Sequence, residues 1–217
     1  MTKTAFRWLI GLLVFSWFVF SVSASAAGVF KNGSPQLGLG IAVAAVVPIL
    51  LFFLWLAISP RFRDFVLSLD PRALTLAQTW RVVGFTFVVL YGFGVLPGLF
   101  ALPAGWGDVA IGFTAPFAVW TLSNPGHRGS FILWQALGIL DLVSAVSLGV
   151  TSPLIHPHGI GMTAMTVLPL SVIPTFLVPL LTIFHVICIA QARRWRESRI
   201  SGLAPRGSGA VASVATI

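Results

Sequence analysis

Apolar stretches of about 20 residues recur along this 217-residue chain, each long enough to cross a hydrocarbon core of roughly 30 Å as a helix. With 57% hydrophobic residues, 8% charged residues and a mean hydropathy of +0.98, too little polar surface exists to clothe a water-soluble domain. Lipid admits only helices and closed barrels, and these runs lack the two-residue alternation of barrel strands. The expected fold is an all-α integral membrane protein, a bundle of six transmembrane helices. The spans are predicted over about 8–30, 37–58, 80–101, 103–122, 130–150 and 168–190, in one polytopic domain covering 1–201. The segment 202–217, rich in Gly, Ser and Ala, is expected to be a disordered cytoplasmic tail. No internal repeat is evident.

The formal charge of +8 could suggest nucleic acid, but the basic residues are scattered over loops and tails and form no single face. They read as topology signals instead. Lys3, Arg7, Arg61, Arg63, Arg72, Arg128, Arg193, Arg194, Arg196, Arg199 and Arg206 fall on one side and only Lys31 on the other, so the positive-inside rule places both termini in the cytoplasm of an inner membrane. Lys3 and Arg7, followed by an apolar run and Ala24-Ser25-Ala26, also fit a cleavable signal peptide. Retention is preferred, because the run extends to Phe30 and is long enough to span.

Between the second and third spans, Ser59 and Pro60 open a segment in which Phe62, Phe65, Val66 and Leu69 recur at helical spacing opposite Arg61, Arg63 and Asp64. This predicts a short amphipathic helix on the inner membrane surface, after which Asp70-Pro71 can cap a helix running into the third span. Arg193, Arg194 and Arg196 form a juxtamembrane cluster suited to anionic lipids.

Chemistry is sought first at Asp141, near the middle of an otherwise apolar run, where a carboxylate costs roughly 2.5 to 3.5 kcal/mol. Eleven Leu, Ile, Val and Phe in that run offset the cost at roughly 0.3 to 0.6 kcal/mol each. The small residues Gly138, Ser144, Ala145 and Gly149 beside it predict a protein-facing side chain. Two readings stand: a proton or cation site, or a protonated carboxyl that bonds Tyr91 or a backbone carbonyl as interhelical glue.

Helical rise from the inner ends places Arg81 near zero, His185 at about 8 Å, Tyr91 and Asp141 at about 16 Å and Asp108 at about 21 Å, a polar ladder through the bilayer. For Asp108 the preferred reading is a plain N-cap on a short helix after a re-entrant Pro-Ala-Gly-Trp-Gly loop, the other being a buried member of the ladder. Arg81 is expected to snorkel to the headgroups from the end of its span; alternatively, a face shared with Gly84, Val88 and Tyr91 points it inward. His185 shares a face with Thr182 and Cys188. Pro169, Pro174 and Pro179 loosen the same span.

In the loop after span five, His156 and His158 with Met162 and Met165 make a weak copper or zinc ligand set; no other cofactor is indicated. The single cysteine, Cys188, allows no internal disulfide. There is no Walker loop, His-Glu-x-x-His or Gly-x-Ser-x-Gly, so an enzyme is not indicated. The sequence therefore leads to a proton- or cation-coupled transporter using Asp141, Tyr91, His185, Arg81 and Asp108. A scaffold subunit of a membrane complex is the alternative, and a membrane enzyme or metal handler built on the His-Pro-His loop is third. Homo-oligomer contacts or a membrane-complex partner fit the first two.

Overall fold

The computed structural model describes residues 3–31, 39–156 and 158–202, with side chains up to 195. Apart from Gly202, the expected tail lies outside the described residues. Those residues form helices and no strand: α1 (Lys3–Ala26), α2 (Leu39–Ile58), α3 (Pro60–Leu67), α4 (Pro71–Leu76), α5 (Phe85–Gly92), α6 (Gly98–Phe117), α7 (Arg128–Ile155) and α8 (Val178–Gly202). Five stretches, Thr4–Ala26, Leu39–Ile58, Pro71–Gly92, Pro125–Ile155 and Ile173–Trp195, are long and apolar enough to cross a membrane, as a multi-pass membrane protein requires. The fourth expected span, 103–122, is also helical, as α6 prolonged by a π turn over Ala118–Leu122, but it is not one of the five. In α6 itself, Asp108, four glycines and two prolines dilute the apolar content.

The third stretch departs most from expectation. It begins at Pro71 and not near 80, because the Asp70 carboxylate accepts the Arg72 N–H at 2.9 Å and Pro71 supplies a first-turn residue with fixed φ. It ends at Gly92, and the chain turns through Gly94, whose φ of +68° suits glycine, before α6 opens after Pro97. The helix is thus displaced by nine residues at each end relative to the predicted 80–101.

Its winding is also unusual. Between α4 and α5, Ala77–Gly84 is a 3₁₀ helix, in which residues three apart eclipse one another. Burial follows that period through the neighbouring turns: Thr75, Gln78, Arg81, Gly84 and Phe87 are all buried. The result is a straight seam, and α6 lies directly against it. A Cβ on Gly112 would stand 2.6 Å from the Val82 nitrogen, so the two backbones touch where only glycine leaves room.

The expected amphipathic helix forms as α3, with the Ser59 hydroxyl accepting the Phe62 N–H at 3.2 Å. Its apolar face docks on protein: Phe62 and Val66 are buried with Phe6, Phe52 and Ile187, and Phe62 stacks on Trp55 with ring centroids 4.2 Å apart. Gln191 of α8 closes the end of α3, donating from Nε2 to the carbonyls of Val66, Leu67 and Leu69 at 3.2, 3.4 and 2.7 Å. Gln191→Leu is expected to cost about 1 to 3 kcal/mol by stranding those acceptors, seen as a lower Tm in detergent; an unchanged Tm would show that water replaces the amide.

The first helix packs into the bundle. Ser21 and Thr175 share a hydrogen bond of 2.5 Å, and Trp17 and Phe18 meet Phe176 edge-on.

Candidate functional site

Displacing the third helix inward moves Arg81 from the end of its span to the eleventh of 22 residues. In place of the expected snorkelling, Arg81 is 3% exposed and its donors turn inward to other helices. Its Nε donates to Asp108 Oδ1 of α6 at 2.7 Å, and Nη2 donates to Asp141 Oδ2 of α7. Nη1 donates to the Gly138 carbonyl at 3.2 Å and meets His185 Nε2 of α8 at 3.4 Å. One guanidinium thus joins two carboxylates and an imidazole carried by three other helices.

The hydrogen-bond directions around His185 are fixed by its neighbours. Facing the Arg81 N–H, Nε2 must accept, so the proton sits on Nδ1 and is donated to Gln135 Oε1 at 2.5 Å. Gln135 Nε2 then donates to Thr75 Oγ1 at 2.9 Å, and Thr75 reaches the Cys188 sulfur at 3.7 Å. Flipping the Gln135 amide would set two donors against each other at His185 or at Arg81, so the chain runs in one sense. A neutral imidazole of defined tautomer is the outcome.

With both carboxylates ionised and His185 neutral, the centre carries two negative charges and one positive. A single proton or monocation brings it to neutrality. Buried ion groups persist where they are paired and multiply bonded, and Arg81 meets that condition with four of its five N–H donors engaged in the contacts above.

Placement of the other expected residues is mixed. Asp141 faces protein, as the small residues beside it predicted. Asp108 is eleven residues into α6, whose N-cap is Pro97, so the capping reading and the re-entrant loop are overturned: helix resumes at Gly98, and 103–107 lies inside it. The ladder is replaced by a cluster, because the third and fourth helices start earlier than their apolar windows. Tyr91 does not join it. A 3.6-residue period projects Tyr91 onto the Arg81 face, but the three-residue seam passes through Phe87, and Tyr91 is 43% exposed and packed on Gly98. The expected bond from Asp141 to Tyr91 gives way to the Arg81 pair. Met162 and Met165 are buried with Phe87, Leu96 and Phe100 while His156 and His158 are exposed, so the four are not brought together as one ligand set.

Sequence reasoning missed Gln78, Gln135 and Thr75, all fully buried. A signal for two of them exists: Thr75, Gln78, Arg81 and Gly84 interrupt apolar sequence at intervals of three.

Fold and site together define a helical, multi-pass type of protein with an ion cluster gathered from three membrane-length segments and α6. The chain belongs to a family described as a domain of unknown function, DUF8737, whose model matches residues 38–193. That match takes in Arg81, Asp108, Asp141 and His185 and begins after α1. No curated protein and no solved structure matches the chain.

Proposed function

We propose that the chain is a six-span inner-membrane permease, both termini cytoplasmic, in which Asp141, with Asp108 and Arg81, binds the coupling proton or cation. His185 supports Arg81, and Arg193, Arg194 and Arg196 contact anionic lipid headgroups. Counting α6 prolonged to Leu122 as a span gives the sixth crossing. One observation carries the reading: two carboxylates share one guanidinium near the middle of apolar helices, so the centre lacks one positive charge. Intramembrane ionisable groups of this kind mark ion or proton pathways.

The reading is tested by proton flux in proteoliposomes with an entrapped pH dye. Asp141→Asn keeps the shape and a hydrogen-bond acceptor for Arg81 but removes the charge, and flux is expected to fall at least tenfold. Unchanged flux would defeat the permease and leave an interhelical ion pair suited to a scaffold subunit.

A further inference from the structure

A cleft of about 510 Å³ opens beside the ion centre, walled by Phe18 and Val22 of α1, Trp80 and Phe87 of the third helix, Leu142 of α7 and Leu181 of α8. Its size falls in the range of roughly 300 to 1,000 Å³ that takes whole small molecules. Its charged lining is Arg81 and Asp108.

These two do not present themselves equally. The Arg81 side chain is 1% exposed with its donors directed elsewhere, whereas the Asp108 side chain is 15% exposed. Asp108 Oδ1 takes the Arg81 bond, and Oδ2 accepts no hydrogen bond among the described residues. A visitor therefore meets a carboxylate oxygen, not a guanidinium. Anions are repelled, and the missing positive charge is supplied by a cation.

A bare metal ion finds too few oxygens here, since hard cations require about six. The apolar walls instead suit a large organic cation with little bound water. Phe18, Trp80 and Phe87 belong to the residue class that attracts such ions through their π faces. The cleft lies between α1, the third helix and the segment 169–181, beside the middle residue of the third helix.

We propose that this cleft binds a lipophilic organic monocation, with its charge on Asp108 and its apolar groups against α1 and the third helix. The proposal rests on the permease reading only in naming its substrate class. Exchange follows from charge balance: when the cation neutralises the centre, the proton held there leaves to bulk water.

The full chain in detergent is tested with radiolabelled tetraphenylphosphonium and with its anionic isostere, tetraphenylborate. Saturable binding of the phosphonium and none of the borate is expected from the native protein. Asp108→Asn, and Val22→Trp, which fills the cleft from α1 without touching the ion centre, are each expected to weaken phosphonium binding at least tenfold. Equal binding of both probes, or phosphonium binding that survives Asp108→Asn, overturns the proposal without relying on any variant's folding alone. Loss of proton flux in Asp141→Asn together with no phosphonium binding would sink the cation site and leave the permease. Phosphonium binding with no proton release, and intact flux in Asp141→Asn, would do the reverse.

Discussion

Arg81→Leu is expected to cost roughly 3 to 5 kcal/mol, because it strands two carboxylates against each other away from water. The whole centre is organised by that one side chain: it holds Asp108 and Asp141 apart while bonding both, and it fixes the acceptor face of His185. Folded yield and Tm in detergent should both collapse. The informative comparison is the triple variant Arg81→Leu/Asp108→Asn/Asp141→Asn, which removes every formal charge and should recover most of the lost stability. A buried charge group is weak evidence for stability, since an apolar or neutral replacement of the whole set is often neutral or better. Were the single variant as stable as the native protein, the guanidinium would have no electrostatic role and the site would lose its meaning.

The second large effect is expected at Gly138. A Cβ there would run into Cε1 and Nε2 of the His185 ring, and neither the ring nor the helix backbone is free to yield. The ring is held by Gln135 on its far nitrogen, and the Gly138 carbonyl accepts from Arg81, so any shift of α7 disturbs two bonds at once. Gly138→Ala should therefore cost about 1 to 3 kcal/mol by overpacking. Gly11→Ala is the control: nothing lies within 4 Å of its would-be Cβ, and relief of glycine's backbone entropy should stabilise α1 by about 0.5 to 1 kcal/mol. Equal Tm for the two variants would refute the close approach of His185 to α7.

Much of the architecture was legible in the chain. Apolar length alone gives the helical class, and Ser59-Pro60 and Asp70-Pro71 mark helix starts that the structure keeps. Small residues beside Asp141 correctly turn it toward protein. What could not be read was that the third membrane-length stretch itself runs from that Asp70-Pro71 start to Gly92. An apolar window rejects Arg72, Thr75 and Gln78, so it starts late, pushes Arg81 to the rim and lifts Tyr91 to mid-depth; the Asp70 cap outweighs that preference and reverses both assignments. The same late start in α6 turned Asp108 into an apparent cap. Methionine is a flexible filler of apolar gaps, and Met162 and Met165 serve that role among Phe87, Leu96 and Phe100, a placement that the sequence spacing alone does not reveal.

The eclipsed winding of Ala77–Gly84 has an outcome for how this family can vary. In that segment each residue advances the chain by about 120° about the axis, against about 100° in an α-helix. Inserting or deleting a single residue there swings everything beyond it through about a third of a circle, carrying Phe87 off the α6 side and bringing a less buried neighbour into its place. Length polymorphism should therefore be tolerated before Pro71 and after Gly92, where the chain leaves this helix, but not within it, because its phase, more than its composition, aims the guanidinium.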